Sequence, residues 1–150
     1  MPSIGPSIVI HKIKNYPNEK LVRKKLHPIH PRKATGIKVE VEKLLKAGFI
    51  YLVPLTDWVS NIVPVTKKQG MIQFCVDYRD IDKSCPKDNY ATPCINQIID
   101  DCTGSEIFSF IDGFSGYNQI NILPSDQHKT TSIFPWGTFA YRKLPFGLKT

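Results

Sequence analysis

The stretch WVSNIVPVTKKQGMIQFCVDY, residues 58–78, decides the architecture. Trp58, Val59, Ile62, Val63 and Val65 give 58–66 the apolar, β-branched character of a strand. Lys67, Lys68, Gln69 and Gly70 supply a polar turn, and Ile72 to Tyr78 form the returning strand. Strands joined by so short a link run antiparallel, because a parallel partner needs a crossover of about a dozen residues or more. The expected hairpin has a basic tip.

Working outward, residues 11–33 are basic and interrupted by Pro17, Pro28 and Pro31, so they are expected to be extended. A helix is predicted from near Thr35, where Ile37, Val41, Leu44 and Leu45 recur at helical spacing and Gly48 gives a stop. Beyond the hairpin, 83–91 read as polar and irregular. Thr92-Pro93 reads as a helix start, followed by an apolar stripe of Ile95, Ile98, Ile99 and Cys102 and closed by Gly104. Ile107 to Ile111 read as a buried strand ending at Asp112-Gly113. A second hairpin is expected from 130–134 and 138–144, turning at Pro135-Trp136-Gly137. Helices and strands mix without strict alternation, which predicts an α+β fold with antiparallel sheet.

The formal net charge is +7, unevenly placed. Residues 1–46 hold 11 Lys+Arg against 3 Asp+Glu, and residues 47–150 hold 9 against 10. A basic third on a near-neutral body fits a polyanionic partner, and it equally fits a solvated leader. Residues 1–10 read as an untethered lead-in. No stretch is long and apolar enough to span a membrane, and the N-terminus lacks the layout of a signal peptide. Cys75, Cys85, Cys94 and Cys102 show no C-x-x-C spacing, so free thiols are expected, with Cys75 and Cys102 as small core residues.

Three places carry candidate chemistry. In FSFIDGFSGYNQI, residues 108–120, a carboxylate at the end of an apolar strand suits a hard metal ion, although Asp-Gly is also an ordinary turn. In FCVDYRDIDK, residues 74–83, Asp77 and Arg79 share a strand face. They can pair with each other, or line a groove with Lys67 and Lys68. Pro-Phe-Gly in LPFGLKT, residues 144–150, is by itself only a tight turn.

Taken in order, the basic hairpin, FCVDYRDIDK, FSFIDGFSGYNQI and WGTFAYRKLPFGLKT resemble the reverse transcriptase of gypsy-type LTR retrotransposons, from about Leu26 to Thr150. The segments CPKDNY (85–90) and DGFSGYNQI (112–120) look closest to plant lineages. The resemblance implies the fingers and part of the palm of a right-hand polymerase. Residues 1–25 would be a basic, extended leader, 26–104 the fingers and start of the palm, and 105–150 a palm segment. It also implies RNA-directed DNA polymerase chemistry on a template-primer of RNA or DNA, with a dNTP as substrate and the rest of a Pol polyprotein as partner. Two Mg²⁺ or Mn²⁺ ions roughly 4 Å apart would assist the transfer. Asp112 would be the first of three catalytic aspartates, and the Gly113 carbonyl a metal ligand. Phe114 and Ser115 amides would face the triphosphate, and Tyr117 would exclude a 2′-hydroxyl by steric conflict. Phe146 and Gly147 would shape the nucleotide pocket. Lys67 and Lys68 would lie at the fingers tip, and Asp77, Tyr78 and Arg79 in the strand that contacts template. The implied setting is intracellular, in cytoplasm or a virus-like particle, with no membrane.

Three departures stand out. No Tyr-x-Asp-Asp block follows Pro-Phe-Gly, so the chain alone is expected to bind metal weakly and to lack polymerase activity. Gln73 replaces an arginine that grips the triphosphate, a loss of about 2–3 kcal/mol. Asp82 replaces an asparagine, placing a negative charge near the template surface.

Overall fold

A computed structural model describes residues 4–54, 56–68, 70–87, 89–109, 113 and 115–149. Among the described residues, seven strands and three α-helices run in the order β1 (Ile10–His11), α1 (Pro31–Lys46), β2 (Ile50–Val53), β3 (Ile62–Thr66), β4 (Ile72–Val76), α2 (Arg79–Ser84), α3 (Ile95–Asp101), β5 (Asn121–Ile122), β6 (Ser132–Phe134) and β7 (Gly137–Tyr141). Two 3₁₀ turns, Gly116–Gln119 and Pro124–Thr130, flank β5. The mixed α and β content matches the expected class.

Both hairpins form. β3 and β4 pair antiparallel with Ile62 opposite Val76 and Thr66 opposite Ile72. β6 and β7 turn tightly at Pro135-Trp136, with Phe134 opposite Gly137. β7 also pairs antiparallel with β2, giving the order β2-β7-β6. The expected strand 58–66 is split: its first part, Val59 and Ser60, forms single parallel bridges to Arg23 and Ser132. The parallel pair β1–β5 is the other exception to antiparallel order.

Helix α1 begins at Pro31, four residues before the expected Thr35. Proline suits the first helical position because its missing N–H has no partner to lose there. The His30 ring accepts the Arg32 amide at 3.3 Å, capping that end. Gly48, at φ +73°, lets Phe49 N–H reach back to the Leu44 carbonyl and stops the helix. Ile37 and Val41 on its inner face pack with Ile50, Ile62, Phe134 and Phe139. Phe134 receives Phe74 and Phe139 edge-on at 5.0 and 5.4 Å. Helix and hairpin meet at Gly36, where a Cβ would stand 2.8 Å from the Cβ of Ile72.

A second cluster joins Ile13, Trp58, Tyr78, Ile81, Cys85 and Ile122. It corrects the reading of the N-terminus as an untethered lead-in. Ile4 N–H donates to the Gln119 carbonyl, Ile10–His11 pairs with β5, and Ile13 is 1% exposed. Asp126 Oδ2 accepts the Ile13 amide at 3.0 Å, while Lys129 Nζ donates to the Ile13 carbonyl at 2.6 Å and pairs with Asp126 at 2.8 Å. Further along, Val59 N–H donates to the Val22 carbonyl and Lys24 N–H to the Val59 carbonyl.

Other expectations are revised. The returning strand ends at Val76, and 79–84 form α2, where Ile81 and Ser84 at i, i+3 turn inward. Helix α3 starts at Ile95 behind Cys94, without a capping side chain, so Thr92-Pro93 lies before it. Its stripe of Ile95, Ile98 and Ile99 is exposed. The buried strand expected from Ile107 is not seen at 107–109: Ile107 is 88% exposed and no described strand runs beside it to satisfy its backbone. The remainder of that segment, 110–112, lies outside the described residues. All four cysteines are free thiols, but Cys75 is exposed, Cys102 half-buried and Cys85 the core member. Cys75 points outward because Val76 and Phe74 take the inner face of β4.

Helix α2 is tied to the C-terminal loop. Asp82 Oδ1 accepts the Lys149 amide at 2.9 Å. Burial raises the Asp82 carboxyl above its ordinary range, against the lowering effect of that hydrogen bond. A raised folded-state pKa means that ionisation weakens the fold as pH climbs through the carboxylate range.

Three outcomes follow from this packing. Ile13→Ala should lower stability by about 2–4 kcal/mol in urea denaturation, whereas an untethered leader would give no change. Gly36→Ala should destabilise by about 1–2 kcal/mol despite alanine's better helix propensity, because the Ile72 branch point cannot swing aside. Asp82→Asn keeps the acceptor and removes the charge, so it should raise the melting temperature at pH 7, with the gain disappearing below pH about 4.

Candidate functional site

The hairpin tip is a tight turn. Gly70, at φ +75°, donates its amide to the Lys67 carbonyl, and Lys67 donates to Met71. Lys67 and Lys68 are exposed, and neither has a carboxylate within 4 Å among the described residues. Two ammonium groups on long, rotatable stems can attract phosphate.

At the other end of β4 stand Asp77 and Arg79. They lie past the strand, not on one of its faces as the sequence suggested, because Tyr78 begins the turn into α2. They pair with each other: Arg79 Nε donates to Asp77 Oδ1 at 2.8 Å and Nη2 to Oδ2 at 2.6 Å. This fork, chiefly through its hydrogen bonds, holds the Asp77 carboxyl below its usual range and raises the guanidinium. Asp77 is also anchored from the body, its amide donating to the Asn61 carbonyl. The outer face of Arg79 remains in solvent, free to meet an anion. Lys24 reaches into the same area and pairs with Asp80 at 2.8 Å.

Tyr78 is removed from the set of possible ligand contacts. Its ring is 2% exposed and its hydroxyl donates to the Thr130 carbonyl at 3.4 Å. Burial raises its pKa well above the ordinary phenol value. It supports the site from beneath.

Tyr117 and Phe146, 29 residues apart in sequence, come together with ring centroids 5.7 Å apart and planes tilted by 52°. Both are exposed, Phe146 by 70%. Their mounts explain the meeting. Ser115, at φ +46°, turns the chain into the 3₁₀ segment carrying Tyr117, and Gly147, at φ +92°, reverses it just after Phe146. Beyond that loop, Asp82 fastens Lys149. A non-glycine residue in the left-handed region is uncommon outside turns and functional loops. The Gly113 carbonyl accepts the Gly116 amide at 2.8 Å, which leaves it one lone pair for another partner.

Asp112 and Phe114 lie outside the described residues. Among the described residues no group of three or more His, Cys, Asp or Glu side chains comes together to hold a metal ion. They do not compose a two-metal site, and no catalytic step is assigned to them. What the described residues offer is a binding surface: cations at a turn, a guanidinium held in a fork, and an exposed aromatic pair.

Sequence reading missed the Asp126–Lys129 clasp on the N-terminal segment. The i, i+3 spacing of opposite charges in SDQHK was its one visible signal. It also missed the tie between Lys24 and Asp80, which join elements far apart in sequence.

No family model matches the chain. The Tf2-3 transposon polyprotein of Schizosaccharomyces pombe is 31% identical over 124 residues, which is 83% of this chain and 9% of the polyprotein. The Tf2-7 polyprotein of the same yeast is 30% identical over 122 residues, again 9% of its length. The chain thus spans less than a tenth of these relatives. Among solved structures, a protease–reverse transcriptase of prototype foamy virus matches 87% of this chain and 18% of its own, with TM-score 0.75 and 21% identity. A foamy viral protease–reverse transcriptase in complex with an RNA/DNA hybrid matches 83% of this chain and 17% of its own, with TM-score 0.66 and 18% identity. No described helix is long and apolar enough to cross a membrane. The chain is thus similar in sequence to a short stretch of transposon polyproteins, and it shares the fold of the matching part of a foamy virus protease–reverse transcriptase.

Proposed function

We propose that the chain is a segment of the RNA-directed DNA polymerase of a gypsy-type, plant-like LTR retrotransposon, borne on a Pol polyprotein and comprising fingers and part of the palm. The reading is carried by the meeting of Tyr117 and Phe146, which come from two separate motif blocks and which the resemblance to reverse transcriptases implies share one nucleotide pocket. An exposed ring beside a reversing glycine loop offers a surface on which a sugar or base can stack, and bulk at that point discriminates against a 2′-hydroxyl. Lys67, Lys68 and Arg79 supply charge for phosphates, with the Asp77 fork fixing the guanidinium plane. The partners are an RNA or DNA template-primer and a dNTP, and the setting is intracellular, in cytoplasm or a virus-like particle. Foamy viral relatives of the fold are solved with double-stranded DNA and with an RNA/DNA hybrid, which supports this choice of partner.

In the complete polymerase, Asp112 and the Gly113 carbonyl would help hold a divalent cation such as Mg²⁺ or Mn²⁺, which supplies charge stabilisation for nucleotidyl transfer. The residues of this chain bind and orient. The sequence has no Tyr-x-Asp-Asp block, and one carboxylate does not hold two divalent ions.

A primer-extension assay on the purified chain, with Mg²⁺ and an Asp112→Ala control, should show no incorporation above that control. Metal-dependent extension abolished by the substitution would show that the chain is catalytically complete. The positive arm is dNTP-dependent retention of template-primer by the unsubstituted chain, weakened at least about fivefold in Tyr117→Ala; retention unaffected by that change would count against the pocket assignment.

A further inference from the structure

Residues 11–33 carry eight Lys and Arg and a single carboxylate, Glu19. A run of this composition is commonly a solvated tail, but here its backbone is fixed. Prolines at 17, 28 and 31 bar helix from most of it. The Asp126–Lys129 clasp grips both backbone groups of Ile13, Ser84 accepts the Tyr16 amide, and Val59 exchanges backbone hydrogen bonds with Val22 and Lys24. Ile13, Val22 and Ile29 turn inward onto the two core clusters. Lys12 and Lys14, flanking Ile13, are thereby turned outward, and Lys20, Lys25, Arg32 and Lys33 are exposed as well.

Only two of the eight cations are spent on the body: Arg23 pairs with Asp57 and Lys24 with Asp80. The other six have no carboxylate within 4 Å among the described residues. Arg32 and Lys33 also stand in the first turn of α1, which contains no acidic residue. Cations at that end oppose the helix macrodipole, so their placement runs against local stability. A break with local rules of this kind is expected where a site, not the fold, sets the residue.

We infer that residues 12–33 form a preorganised cationic rail that holds the backbone of single-stranded nucleic acid outside the Tyr117–Phe146 pocket. Its cations are held on an ordered chain before binding, so less conformational freedom is lost than by a flexible tail. The rail reads charge and not sequence, because its side chains are point charges and one guanidinium without a described groove for base edges. The inference rests on the nucleic-acid reading proposed above but concerns a separate surface.

The test is a fluorescence-anisotropy titration of the full chain with a labelled uridine homopolymer across a series of salt concentrations. Two charge-reversal variants are compared, each verified as folded by its melting transition: Lys25→Glu/Arg32→Glu/Lys33→Glu on the rail and Lys67→Glu/Lys68→Glu on the hairpin tip. If all six unpaired cations engage phosphates, the slope of log affinity against log salt is about −4. The rail variant should bind at least about tenfold more weakly at about 50 mM salt with a slope shallower by about 2, a larger loss than in the hairpin variant, whose two lysines the proposed function also sets against phosphates. Binding that survives rail reversal but fails on hairpin reversal overturns the rail while sparing the nucleic-acid reading. No binding by the unsubstituted chain overturns both.

Discussion

A phenol buried at the foot of the β3–β4 hairpin holds this structure in register. Tyr78 closes β4, precedes α2 and packs with Ile13 from the N-terminal segment, Trp58 from the stretch before β3 and Ile122 from β5. A buried hydroxyl without a partner is costly, and the Thr130 carbonyl supplies one. That bond fastens the hairpin base to the 3₁₀ turn whose Asp126 and Lys129 grip Ile13. Asp77 and Arg79 flank the ring on either side in sequence and project to the surface. The fork between them is therefore positioned by the core beneath it.

The parts of the fold that were legible in the sequence are those governed by local physics. Two hairpins appeared where β-branched runs were separated by turn residues, and α1 stopped at the glycine its period suggested. Boundaries failed where a residue had two uses. Pro31 read as a breaker and serves as a helix start, since the same missing N–H is harmless in the first turn. Helix α2 was not anticipated because its six residues make fewer than two turns, too few for a period to show. β2 was not anticipated, although FIYLV is an apolar run, because its pairing with β7 brings together residues nearly ninety positions apart. The parallel pair β1–β5 is similarly non-local.

The candidate site divides along the same line. Hairpin patterning marked 67–68 and strand spacing marked 77 and 79, while 117 and 146–147 took their meaning from the resemblance to reverse transcriptases. Geometry then sorted them. Asp77 and Arg79 proved to be each other's partner, Tyr78 went to the core, and Tyr117 met Phe146. The N-terminal segment shows the reverse case. Its charge was obvious, while its attachment depended on Asp126 and Lys129, more than a hundred residues downstream. A list of charges cannot distinguish a free tail from a fastened one.

The isoleucines of α3 have a consequence for the behaviour of the chain in water. Ile95, Ile98 and Ile99, with Ile107 and Phe108 nearby, turn hydrocarbon outward, and no described residue covers them. Such a surface remains unfavourably hydrated at roughly 25 cal/mol for each Å². The net positive charge resists association at long range, but salt shortens that range to about 10 Å at 0.1 M. The chain is thus a colloid with opposed tendencies: dilute, low-salt solutions favour dispersal, while concentrated, saline ones bring greasy patches into contact.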